Sequence, residues 1–210
     1  TPSEGPRVHG WTAGAILPSG NGVVAGPRGE LGILDHGSLL RQVDTLKGLR
    51  AIHAVTLGSD STGWLVGDGG LVQSTTNNGI SWGPPAGELP LELRECMDFH
   101  AVAQMGEHVW ITGSPGSVIW HSADAGATWT RQLTRETTPI RSLHFVDELN
   151  GIAVGDLGKI LTTRDGGETW TAVRGGGRHL AILAIHAYPQ QMPLGSLAYF
   201  SHEWGYRSAV

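Results

Sequence analysis

Short stretches in which apolar and polar residues alternate, each closed by a glycine turn, recur along the chain. One is Gly63-Trp64-Leu65-Val66-Gly67-Asp68-Gly69-Gly70-Leu71-Val72, followed by Asn77-Asn78-Gly79-Ile80-Ser81-Trp82. A second is Val109-Trp110-Ile111-Thr112-Gly113-Ser114-Pro115-Gly116-Ser117-Val118-Ile119, followed by Asp124-Ala125-Gly126-Ala127-Thr128-Trp129. A third is Gly151-Ile152-Ala153-Val154-Gly155-Asp156-Leu157-Gly158-Lys159-Ile160-Leu161, followed by Asp165-Gly166-Gly167-Glu168-Thr169-Trp170. A worn copy precedes them, from Gly22 through Gly26-Pro27-Arg28-Gly29 to Asp35-His36-Gly37. The first glycine of the Gly-x-x-Gly turn falls at positions 26, 67, 113 and 155, in steps of 41, 46 and 42 residues. Alternation with a period of two marks strands, and a repeat of this length holds about four short strands with their turns.

Each unit predicts a strand running up to the glycine turn, a second apolar strand after it, a polar turn, and a polar outer strand. Between units lies an inner strand, such as Ile52-His53-Ala54-Val55 or Ile140-Arg141-Ser142-Leu143-His144-Phe145. The polar turn has a physical logic. The side chain of Asn77, Asp124 or Asp165 accepts nearby backbone N–H groups. Gly79, Gly126 and Gly167 supply a backbone angle closed to other residues. Trp82, Trp129 and Trp170 are apolar plates suited to wedging between sheets. These residues are therefore expected to staple the architecture rather than perform chemistry. The fold class is all-β, a β-propeller with about four blades visible over residues 1–173.

Composition narrows the functions. The chain has 210 residues with net charge −5, which argues against general nucleic-acid binding. A single cysteine, Cys96, excludes an internal disulfide and a cysteine-rich zinc module. No apolar run reaches the length of a membrane-spanning helix. The N-terminal residues lack a basic-then-apolar leader, so any export signal is expected to have been removed or never present.

The repeated turns resemble the BNR, or Asp-box, repeat. With the Gly-Trp-x-Val-Gly-Asp-x-Gly phrase and the spacing, residues 10–175 look most similar to the propellers of the photosystem II stability and assembly factor family. The resemblance implies a ring of six or seven blades, completed by a longer chain or by other means, and a lean toward a periplasmic or extracellular setting. In that family an arginine patch on the propeller contacts a protein partner. Arg50, Arg94 and Arg141, near the starts of inner strands, are the residues nominated for such a surface. His53, His100 and His144 are expected at comparable inner-strand positions, lining the centre together. Scattered histidines without a metal-ligand spacing imply no metal and no cofactor.

The repeat ends at Val173, and Arg174-Gly175-Gly176-Gly177-Arg178 reads as a linker over 174–178. Residues 179–210 then suggest a strand over 179–186, a helix over 194–204 and the start of a second strand, a βαβ opening. Ala184-Ile185-His186-Ala187-Tyr188-Pro189-Gln190-Gln191-Met192 resembles the beginning of the PIG-L (LmbE-like) N-acetylglucosamine deacetylase fold. There the strand ends in Ala-His-Pro-Asp-Asp-Glu. Tyr188 stands at the zinc-binding His, and Gln190 and Gln191 at the two Asp. A neutral amide is no base near pH 7, and zinc prefers His, Cys or carboxylate ligands. The resemblance thus implies a catalytically dead segment.

Other catalysis finds little support. A sialidase needs a tyrosine nucleophile, yet Tyr188, Tyr199 and Tyr206 all lie beyond the repeats. Glycoside hydrolysis needs two facing carboxylates, whereas the carboxylates here fall in turns, Asp68 and Asp156 recurring at one turn position. The expected function is a non-catalytic scaffold that binds a protein or a glycan. The alternatives are an accessory region of a zinc-dependent deacetylase-like hydrolase and a structural subunit of a larger, oligomeric surface assembly.

Overall fold

A computed structural model describes residues 10–43, 50–91, 96–173, 185–186, 197–199 and 207–209. The first sheet joins β1 (Ala13–Ile16), β2 (Gly22–Ala25), β3 (Leu31–Asp35) and β4 (Ser38–Val43). The second joins β5 (Ile52–Leu57), β6 (Gly63–Gly67) and β7 (Val72–Thr75), with a bridge from Ser74 to Gly83 at its outer edge. The third joins β8 (Asp98–Met105), β9 (His108–Ser114), β10 (Val118–Ser122) and β11 (Thr130–Leu133). The fourth joins β12 (Ile140–Phe145), β13 (Gly151–Gly155), β14 (Ile160–Thr163) and β15 (Thr171–Val173). All neighbours in these sheets are antiparallel and sequential, as short connections favour. The first strands of successive sheets are neighbours in space: β1 beside β5, β5 beside β8, and β8 beside β12. That is the radial order of propeller blades, numbered 1 to 4 here.

The apolar seams between blades form the core. Val23, Ala25 and Leu31 of blade 1 meet Ile52, Leu65 and Leu71 of blade 2. Trp64 and Val66 of blade 2 meet Phe99, Val102, Val109, Ile111 and Trp120 of blade 3. Trp110 and Ile119 of blade 3 meet Ile140, Leu143, Phe145 and Leu161 of blade 4. Blades 2 and 3 carry a seam on both faces, so their second strands read as nearly continuous apolar runs. Fully burying such side chains contributes roughly 1.5–3 kcal/mol each. Trp110 is the largest plate: it is fully buried, and its ring lies flat on Phe145 of blade 4, centroids 3.7 Å apart.

The tail departs from the sequence expectation. The described pieces β16 (Ile185–His186), β17 (Leu197–Tyr199) and β18 (Arg207–Ala209) form one antiparallel sheet, with Ile185 opposite Tyr199 and Leu197 opposite Ala209. A βαβ unit would make β16 and the strand after it parallel, and a helix over 194–204 would include Leu197–Tyr199. Neither holds for these residues. The physical reason lies in the brevity of the segment. Leucine at helical spacing over a single short run is equally compatible with a strand, and the aromatic Tyr199 favours the pleated alternative. β16 lies beside β12, as β12 lies beside β8. The Gly-rich linker and the Tyr188, Pro189, Gln190 and Gln191 motif fall outside the described residues.

Candidate functional site

The polar turns fold as their chemistry demands. In blade 3, Asp124 Oδ1 accepts the Thr128 N–H at 2.8 Å and the Ser122 hydroxyl at 2.8 Å. The Gly126 N–H returns to Ser122 Oγ at 2.7 Å. Thr163, Asp165, Gly167 and Thr169 repeat the pattern in blade 4. In blade 2, Asn77 Oδ1 substitutes for the carboxylate, accepting the Ser81 N–H at 2.9 Å. Hydrogen bonds from Thr128 and Thr169 hold the Asp124 and Asp165 carboxyls down to about 2. Each turn docks on the preceding blade. A Cβ at Gly126 would enter the Trp64 ring, one at Gly79 would meet Val23, and one at Gly167 would meet Gln132. Trp129 meets Trp64 edge-on, centroids 5.8 Å apart. Trp110 Nε1 and Gln132 Nε2 both donate to the Gly166 carbonyl, at 2.8 and 3.0 Å. These turns are staples, and their side chains are spent on the backbone.

A different set of polar residues meets where the inner strands begin. β5, β8 and β12 each carry a register break at the same place, between Ile52 and Ala54, Phe99 and Ala101, and Ile140 and Ser142. The extra residue at each break is His53, His100 or Arg141. A bulge re-aims the side chain it carries, and these three converge. His53 Nε2 lies 2.6 Å from Asp68 Oδ1, and the rings of His53 and His100 meet edge-on at 5.7 Å. Arg141 grips Asp156 with two bonds, Nε to Oδ1 at 2.9 Å and Nη2 to Oδ2 at 2.8 Å, while its Nη1 donates to His100 Nε2 at 2.9 Å. Ser114 Oγ lies 2.9 Å from the same nitrogen. The glycine turns complete the mosaic: the Gly69 N–H donates to Asp98 Oδ1, and its carbonyl accepts Arg50 Nη1 at 2.8 Å.

The protonation states follow from these contacts. The fork-to-fork pair with Arg141 lowers the Asp156 carboxyl, and Asp156 raises the Arg141 guanidinium. Burial lowers the His100 imidazole, and Arg141 and His53 reinforce the shift. His100 Nε2 must present a lone pair to receive the guanidinium N–H, so His100 is neutral and Nε2 is the bare nitrogen. The Ser114–His100 contact resembles a nucleophile beside its base, but the base lone pair is already directed at Arg141, which prevents proton abstraction. The two arginines are answered by Asp68, Asp98 and Asp156. The face is a nearly neutral hydrogen-bonding mosaic in which Arg141 is paired with Asp156.

The placement of the nominated residues is thus uneven. His53, His100 and Arg141 come together, and Arg50 sits at the rim. Arg94 lies outside the described residues. His144 is not equivalent to His53 and His100. It pairs with Ile152, three residues before Gly155, the place held by Thr56 in blade 2 and Ala103 in blade 3. Arg141 occupies the position equivalent to the two histidines, because the bulge inserts a residue that spacing alone does not reveal. Asp68 and Asp156, read from sequence as turn formers, are the carboxylate partners of His53 and Arg141. Their recurrence one turn away from a basic inner-strand residue was the available signal.

A second histidine pair lies apart from this face. His108 Nδ1 and His121 Nε2 are 3.0 Å apart, with rings 19° from coplanar and centroids 5.2 Å apart. That separation places the bond edge to edge between the rings, so the two lone-pair directions converge on one shared proton and leave no room for a metal between them. His121 stacks on Trp110 at 4.9 Å, and burial beside His108 lowers it to about 4. Among the described residues no cluster of three or more metal-ligating side chains occurs.

Residues 41–139 match the family model described as photosynthesis system II assembly factor YCF48. The photosystem II assembly lipoprotein Ycf48 of Synechococcus sp. (strain CC9902) is 29% identical over 120 residues, 56% of this chain and 35% of that protein. The chain spans about a third of the length of the curated relatives it matches. Among solved structures, YCF48 from Cyanidioschyzon merolae has a TM-score of 0.66 at 17% identity, covering 98% of this chain and 73% of that one. A YCF48 bound to D1 peptide has a TM-score of 0.58 at 19% identity, covering 75% of this chain and 52% of that one. At such identities the structures establish the β-propeller fold. The chain is thus a β-propeller in fold, and its residues 41–139 are similar in sequence to the photosystem II assembly factors.

Proposed function

We propose that the chain is a non-catalytic scaffold that holds a segment of a partner protein against the face where its inner strands begin. The carrying observation is the convergence of His53, His100 and Arg141 from equivalent bulges in three consecutive blades. A site assembled across blades suits an extended ligand lying over several of them. The similarity to assembly factors supports the reading, as does the peptide bound by one similar structure. The lone pair of His100, occupied by Arg141, argues against hydrolysis at this face.

The test is fluorescence anisotropy with peptides tiled along D1, beside a phage-displayed library of short random peptides as a partner-neutral probe. Saturable binding to the whole chain that Arg141→Ala weakens supports the reading. Absence of any binder, or equal binding by the variant, refutes it. We further infer that β16, β17 and β18 belong to the propeller as part of a fifth blade, supported by their antiparallel order and the position of β16 beside β12. Ending the chain after Val173 then lowers the unfolding midpoint of the remainder. An unchanged midpoint marks an independent tail.

A further inference from the structure

The turns that follow the second strands form the tips of the polar face, and one of them breaks a local rule. Gly67-Asp68-Gly69-Gly70 in blade 2 and Gly155-Asp156-Leu157-Gly158 in blade 4 have the same form. Gly69 has φ +61°, and Leu157 has φ 60° and ψ 27°. The left-handed region is natural for glycine and unfavourable for a branched aliphatic side chain. Leu157 gains nothing visible in return, for its residue is 67% exposed. It directly follows Asp156, whose carboxylate is held by Arg141. The same chain solves the same turn with glycine, so the backbone does not require leucine. Strain retained at an exposed position beside a functional face points to a role outside folding.

We propose that Leu157 is a recognition residue, an apolar anchor that packs against an apolar side chain of the partner segment lying over the Arg141–Asp156 pair. The inference rests on the peptide-binding reading above. The chemistry of the face favours this occupant. With Asp68, Asp98 and Asp156 offsetting Arg50 and Arg141, net charge selects neither an acidic nor a basic partner. Hydrogen bonds to the mosaic set register, and a desolvated apolar contact supplies affinity, as at the centres of other interfaces.

The experiment compares wild type with Leu157→Gly, Leu157→Asn and Leu157→Met, in thermal unfolding and in anisotropy titrations with the D1 peptide that binds wild type best. Glycine relieves the backbone, so its midpoint rises by about 2–4 °C. It also removes the anchor, so affinity falls about tenfold or more. Asparagine, which tolerates the left-handed region, loses affinity likewise, whereas methionine keeps it. A lower midpoint for Leu157→Gly would make the side chain a packing element and overturn the proposal. Unchanged affinity in the glycine and asparagine variants, with wild type binding normally, overturns it alone. If wild type binds no peptide, the peptide-binding reading fails and takes the anchor with it.

Discussion

Gly126 and Gly116 offer a matched pair for measuring how firmly a polar turn staples two blades. Both have nearly the same backbone angle, φ +84° and +85°. A Cβ at Gly116 meets nothing within 4 Å, whereas one at Gly126 enters the ring of Trp64 in the preceding blade. Gly116→Ala therefore carries only the cost of a left-handed alanine, about 1 kcal/mol. Gly126→Ala carries the same cost plus a collision with an indole that is 3% exposed and boxed in by Trp129. Overpacking of a well-filled core costs typically 1–3 kcal/mol, so the expected total is about 2–4 kcal/mol. Urea unfolding of the whole chain measures both variants, and with a slope of about 2 kcal/mol/M the midpoints should separate by about 0.5–1.5 M. Equal midpoints for the two variants would mean that the turn does not dock on Trp64. The account of the seams would then be wrong.

Two further outcomes follow from the same contacts. Unfolded histidine titrates near 6.5, while folded His121 is held at about 4 by burial and by His108, with Asp124 opposing. Below 6.5 the unfolded chain takes up a proton that the folded chain refuses. Stability is therefore complete above 6.5, falls as the pH drops toward 4, and levels below it; His100, also lowered, adds in the same direction. The His121 shift corresponds to roughly 3 kcal/mol at full burial, and solvent screening at this half-exposed site reduces it to about 1 kcal/mol. Unfolding midpoints across this range should show a slope that His121→Gln flattens; an unaltered slope assigns it elsewhere. Asp124→Asn should keep the turn of blade 3, because Asn77 performs that task in blade 2, whereas Asp124→Ala should lower the thermal midpoint. Equal losses in the two variants would deny the side-chain oxygen its role.

Much of the fold was legible because its devices are local. A Gly-x-x-Gly turn and a Ser/Thr-x-Asp-x-Gly-x-Thr-Trp turn are complete within one blade, so a single sequence displays their spacing. The site was less legible because it is assembled between blades. Nothing near Arg141 announces that it meets His100, 41 residues away. The bulges at His53, His100 and Arg141 are register events, created by pairing with the neighbouring strand, and counting along the chain placed His144 where Arg141 belongs. Arg141 looks like a free cation until Asp156 is found across the turn. Beyond Val173, a Leu-rich run was read as helix because too few residues carried the period to separate it from a strand.

A double-mutant cycle between His100 and Arg141 tests the central claim most directly. Blade 3 supplies one side chain and blade 4 the other, and they touch only if the inner strands stand side by side with their bulged residues converging. His100→Ala, Arg141→Ala and the double variant, compared by chemical unfolding, should show a coupling of about 0.5–3 kcal/mol. Losses that add to within about 0.3 kcal/mol would place the two residues out of contact and contradict the shared face on which the functional reading stands.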